Sequence, residues 1–315
     1  MGAKRALLLF VGVLFVATGT FYAQRSEMDE GRDVAPAGKG IGTIFSHGQQ
    51  SNRFGPQRFN LLQPALPGNG IYYHGGPLIL NTTNVYFIWY GNWTSYTGAT
   101  TLLPILVQYI GGTPYFNINT TYYNASGTRV TNSVHYAGAA KDSYSQGQNI
   151  SDNGVQAIVT RAINLKLLPF DTNGVYFVLT SPDVNETTGF CTQYCGWHGY
   201  GYIGGSSIKY AFVGGPARCP SACAEQWNPT PNNAPQGDAM ASILAHELEE
   251  SVTDPELDAW YDTQGEENAD KCAWTFGTTY TVANGAIANM NFGGRDWLIQ
   301  RNWVNWNGGY CSKSF

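Results

Sequence analysis

The chain has 315 residues, 43% of them hydrophobic, which is enough to build a large core and excludes a wholly disordered protein. Only 12% of residues are charged and the formal net charge is −5, so the composition argues against a nucleic-acid partner, which would need a basic face. In chain order, Lys4 and Arg5 precede the apolar run Ala6–Ala17, and the small residue Ala23 follows. That pattern predicts a secretory signal peptide over 1–23, since the run is shorter than the ~20 residues a bilayer crossing needs. Exported, the protein carries no membrane span after cleavage. Residues 24–69 are polar, broken by Gly and Pro and without periodicity, and read as a flexible leader. One domain is expected over 70–315.

Within that domain Val85–Tyr90 is a β-branched and aromatic run ended by Gly91, the pattern of a buried strand. Thr101–Ile110 reads as a helix with Pro104 tolerable only in its first turn. Ser151 or Asp152 caps a second helix, whose apolar positions Val155, Ile158, Val159, Ala162 and Ile163 recur at helical spacing. Gly174–Leu179 is a second buried strand, and Tyr200–Val213 a glycine-kinked strand or hairpin. Strands alternating with helices predict an α+β domain, a mixed sheet with helices packed on it. Six sequons, at Asn81, Asn92, Asn119, Asn124, Asn149 and Asn185, are glycosylation candidates in a eukaryotic host.

The six cysteines are even in number and suit an oxidising compartment. Two tight pairs and one bracketing pair favour Cys191–Cys195, Cys219–Cys223 and Cys272–Cys311. The rival is a four-thiolate zinc site from the two Cys-x3-Cys pairs.

The segment Gly237–Pro255 carries the chemistry. Asp238 is placed to cap a helix and Pro255 to end it. At 3.6 residues per turn Met240, Leu244, Leu248 and Val252 gather on one side, with His246 and Glu250 one turn apart on the other. The resulting His-Glu-x-x-Glu differs by one residue from the zinc motif in which two imidazoles bind the metal and the intervening Glu activates a water. Here His246 and Glu250 are expected as ligands, Glu267 or Asp254 as the third, and Glu247 as the catalytic residue that polarises a water. Asp270 lies in the same segment as Glu267. Zinc is the first expectation for the ion; the extra carboxylate admits Ca²⁺ or Mn²⁺. The plainer alternative is a solvated acidic face. His198 reads as a structural histidine. Trp297, Trp303, Trp306 and Tyr310 suggest either sugar stacking or core packing, the latter preferred.

Tyr73–Leu78, Val85–Gly91, Phe190–Gly199, Arg218–Ala224 and the closing Asn302–Cys311, with all six cysteines in register, resemble the plant phosphate-induced protein 1 / EXORDIUM family over about 70–315. The resemblance implies a secreted cell-wall or apoplastic protein linked to cell expansion and growth signalling, with an extracellular protein or cell-wall polysaccharide as partner. Where flowering-plant members carry a small apolar stretch before Val-Thr-Asn-Pro, this chain has His246–Glu250 before Val252-Thr253-Asp254-Pro255. The His-Glu version looks like the zincin-type ancestor of a family in which other members lost the site. Two readings result: a metal-dependent hydrolase or peptidase of zincin type, and a non-catalytic wall protein.

Overall fold

A computed structural model describes residues 70–315; the signal peptide and leader read over 1–69 lie outside the described residues. The core is one five-stranded sheet of β1 (Thr83–Tyr90), β2 (Val134–Asp142), β3 (Gly174–Thr180), β4 (Gly196–Ile203) and β5 (Ser206–Val213), in the order β2-β1-β3-β5-β4. The first four in that order run parallel, while β4 lies antiparallel on the edge beside β5. Strands β1 and β3 read as nearly continuous apolar runs because both of their faces are covered, as in parallel sheets generally. The β4–β5 hairpin turns on Gly204 and Gly205, at φ +58° and +82°; a two-residue turn with both angles positive matches strand twist and favours glycine.

Helix α1 (Thr97–Ile110) follows β1, α2 (Asp152–Asn164) follows β2, and α3 (Pro235–Thr253) follows β5. The crossovers β1→β2 and β2→β3 run in opposite directions across the sheet, so right-handed connections put α1 and α2 on opposite faces. Helix α3 shares the face of α1 and packs on it, on β4 and on β5. Ser151 caps α2, its Oγ accepting the Gly154 N–H at 3.3 Å. Helix α1 begins four residues earlier than the sequence suggests, which places Pro104 in its interior. The lost backbone bond is offset by burial of Leu102, Leu103, Leu106, Val107 and Ile110.

The disulfides differ from the sequence-based pairing. Cys191 bonds Cys219 and Cys195 bonds Cys223, with Cα separations of 5.8 and 5.4 Å, while Cys272 bonds Cys311 as expected. Cys219 and Cys223 stand at the two ends of a single helical turn, Pro220–Cys223, so their side chains project together towards a neighbouring segment rather than at each other. That neighbour is Gly189–Cys195, and the result is two parallel rungs. A thiolate zinc site is thereby excluded. Of the sequons, Asn119 is fully buried against Asn268, which rules out a glycan there in the folded protein.

Beyond α3 the chain forms short two-stranded ribbons, Tyr280–Thr281 with Ile287–Ala288, Met290–Phe292 with Arg295–Trp297, and Asn302–Val304 with Tyr310–Ser312. This stretch covers the polar side of α3.

Candidate metal centre

Helix α3 opens with Pro235 in its first turn, where a missing N–H costs nothing. Asp238 is not the cap residue itself; its carboxylate reaches back to the N–H groups of Ala234 at 3.2 Å and Asn232 at 3.1 Å. Asp254 ends the helix before Pro255, and every residue from Gln236 to Thr253 is buried. The solvated acidic face considered above is therefore absent. The apolar side of the helix meets the sheet and α1, and the acidic side meets β4 and the C-terminal ribbons.

On that acidic side His246 Nε2 lies 3.0 Å from Glu250 Oε1 and 3.4 Å from Asp270 Oδ1. The other oxygen of Glu250 faces His198 Nε2 at 3.7 Å, and His198 Nε2 lies 3.1 Å from Glu267 Oε2. Glu250 thus stands between two imidazoles. Two overlapping donor groups result, His246–Glu250–Asp270 and His198–Glu250–Glu267, each with its ligand atoms within 4.8 Å of one another. His198 arrives from β4. Strand alternation points it to the same face as Gly196, the face against which α3 packs. A Cβ at Gly196 would lie 2.9 Å from Glu247 Oε1, so the bare glycine makes room for that carboxylate.

The expected ligands are distributed differently from the sequence reading. His246 and Glu250 come together. Glu267 sits with His198, and Asp270 takes the place beside His246. Asp254 belongs to neither group: its Oδ1 accepts the Ala259 N–H at 2.6 Å and closes the turn after the helix. Glu247 is fully buried beside β4. His198 was not assigned to the centre from sequence; the signal that could have found it is the period-two alignment of Gly196 and His198 on an edge strand.

Burial pushes Glu250 and Asp254 well above the usual carboxylate range, reinforced by Asp270 and Glu267 for the first and Glu267 for the second. Burial holds the His198 imidazole down at about 4 despite Asp254 and Asp270, so at neutral pH it is the neutral, metal-ligating form. Burial works against charge on His246, yet Asp270 and Glu247 raise it overall. His246 Nε2 faces the carboxylates of Glu250 and Asp270, while the buried Glu250 Oε2 makes no hydrogen bond among the described residues. Donors of a tetrahedral zinc at ~2.0–2.1 Å stand about 3.4 Å apart; the nitrogen–oxygen spacings are 3.0 and 3.4 Å in the His246 group and 3.1 and 3.7 Å in the His198 group. The donor set therefore fits a divalent cation.

The surrounding residues orient this set. The side-chain nitrogen of Gln300 meets His246 Nδ1, and the Gln300 backbone N–H donates to Ser242 Oγ at 3.1 Å. Asn302 donates its side-chain amide to Glu249, whose carboxyl burial pushes up to about 8. Ligation through His246 Nε2 would require the Gln300 amide to be turned about, so that its oxygen, which now accepts the Trp274 N–H at 3.4 Å, accepts from Nδ1–H as around a metal-bound histidine.

The family model for the phosphate-induced protein 1 conserved region matches residues 71–296. Two Arabidopsis thaliana proteins are similar over most of their length. Protein EXORDIUM-like 5 is 31% identical over 280 residues, covering 75% of this chain and 74% of that protein. Protein EXORDIUM-like 3 is 30% identical over 273 residues, covering 73% and 79%. No solved structure matches. Match length, identity and coverage together establish that this chain belongs to the phosphate-induced protein 1, or EXORDIUM-like, family.

Proposed function

We propose that this is an extracellular, non-catalytic protein of the EXORDIUM type that acts at the cell wall and holds one divalent cation as an internal staple. Export is supported by the engagement of every cysteine in a disulfide, the state expected in an oxidising compartment. The staple rests on one observation: Glu250 on α3 faces His246 from its own helix and His198 from β4, with all three side chains at most 1% exposed. An ion there would tie helix, edge strand and the Glu267–Asp270 turn together. Two imidazoles among carboxylates suit zinc, then manganese; calcium, which takes six to eight oxygens, suits them least.

Metal analysis of the purified protein tests this. The expected content is one equivalent of zinc or manganese, lost in His246→Ala and in His198→Ala. A metal-free wild type that melts at the same temperature with and without added zinc during refolding overturns it.

A zincin-like hydrolase is the second reading, favoured by the placement of Glu247 directly after His246 and by the packing of α3 behind an antiparallel edge strand. Catalytic zinc keeps a position open to water and substrate, and the burial of His246, Glu247 and Glu250 argues for the staple instead. Metal-dependent hydrolysis of a generic peptide library by wild type, abolished in Glu247→Gln with metal content unchanged, would reverse that preference.

A further inference from the structure

A groove of about 530 Å³, sharing no lining residue with the metal centre, lies within the ~300–1,000 Å³ of small-ligand clefts. It forms where the ribbon Tyr72–Tyr73/Trp260–Tyr261, the turn bridged by Tyr123 and Arg129, and the turn after Val304 converge. Trp260 is its buried floor, held by its Nε1–H to the Tyr123 carbonyl at 2.9 Å. Tyr123 and Trp306 stand at its sides with 39% and 55% of their surface exposed, and Tyr72 and Asn307 also line it.

Exposed aromatic faces framed by amides suit a sugar ring. The axial C–H face of a pyranose is apolar and slightly positive, which complements the negative face of a Tyr or Trp ring, while side-chain amides serve its hydroxyls. Arg129 adds charge. Its guanidinium lies 5.4 Å from the Tyr123 ring centroid and gives one N–H to the Thr120 carbonyl at 2.9 Å. A guanidinium carries five such donors in a planar fork, so that one bond, among the described residues, leaves donors able to grip a carboxylate. Among the described residues no acidic side chain lines the groove, although the chain as a whole is acidic at −5. A cationic spot on an anionic molecule selects an anion.

We infer that this groove binds a short uronic-acid oligosaccharide, with pyranose rings on Tyr123 and Trp306 and a uronate carboxylate on Arg129. The inference is independent of the metal staple. It also corrects the choice of aromatics made from sequence: Trp303 lies outside the groove, half-buried under Lys271 Nζ at 4.9 Å.

The test is a titration of the full secreted protein with tetragalacturonate, read by tryptophan fluorescence and calorimetry. Comparators are the methyl-esterified tetramer, cellotetraose and a glutamate tetrapeptide. Expected is saturable binding to the acidic sugar, at least tenfold weaker for the ester and for Arg129→Gln, and lost in Trp306→Ala. Both substituted side chains are exposed, so melting temperatures should match wild type and separate a binding defect from a folding one. No saturable binding, equal affinity for ester or cellotetraose, or unchanged affinity in Arg129→Gln overturns the proposal. Binding of the glutamate peptide as tightly as the sugar overturns it as well.

Discussion

Gly196 and Glu247 are fitted to each other across the β4–α3 interface, and the fit sets the cost of the smallest substitution. A methyl at Gly196 would meet Ile243 Cγ2 at 2.7 Å, Glu247 Oε1 at 2.9 Å and the Phe212 carbonyl at 2.9 Å. Gly196→Ala should therefore destabilise by about 1–3 kcal/mol, the range of overpacked cores, measured by urea unfolding. His135, exposed on β2 and 3.3 Å from the Asn84 side chain, provides the control for the metal ligands. His135→Ala should leave metal content intact where His198→Ala removes it. At this scale the sequence was legible wherever chemistry follows local spacing. His246 and Glu250 meet because four residues make one helical turn. His198 lies 48 positions upstream on another element, and its alignment with Gly196 becomes a signal only once the strand is known to begin at Gly196.

Among the elements, the paired rungs Cys191–Cys219 and Cys195–Cys223 close loops of the same 28-residue separation. Closing one such loop restricts the unfolded chain by about 3.5 kcal/mol, but a second rung beside it restricts little that the first left mobile. Replacing Cys191 and Cys219 together by Ser should thus cost well under that figure. Removing all four cysteines should cost at least the full amount, read from denaturant midpoints under non-reducing conditions. The pairing escaped sequence reasoning because contiguous thiols look like partners until the helical turn holding Cys219 and Cys223 is known. Strands β1 and β3, the cap at Ser151 and the stop at Pro255 were readable, since each is written in adjacent residues. The first turn of α1 was not: packing on α3 tolerates Pro104 where propensity alone would end the helix.

For the molecule as a whole, the staple makes a prediction in pH. In the metal-free fold, Glu250 and Asp254 titrate well above their ordinary values of 4.5 and 3.8. A carboxyl raised on folding stabilises fully below its unfolded value, and the contribution is lost as pH rises through the folded one. Protein refolded with EDTA should therefore melt progressively lower from pH 5 to pH 8. Zinc-loaded protein should not, because a cation holds those carboxylates ionised and competes with protons for them. The gap between the two melting curves should widen with pH; parallel curves would show that no ion neutralises these acids. The sheet order and the cover over α3 were hidden from sequence for one reason. Both depend on segments far apart in the chain, and Gln300 and Asn302 reach His246 and Glu249 from about 54 and 53 positions away.

Because later chain closes over the polar side of α3, the exchange of an ion bound as proposed would be set by the lid rather than by the ligands. Asp270, with 8% of its side chain exposed, is the nearest donor to solvent, and its neighbour Cys272 is fastened to Cys311. An ion held there can leave only when that fastened turn lifts away. Isotopically labelled zinc in the medium should then enter the folded protein over hours, and faster once the Cys272–Cys311 bond is reduced.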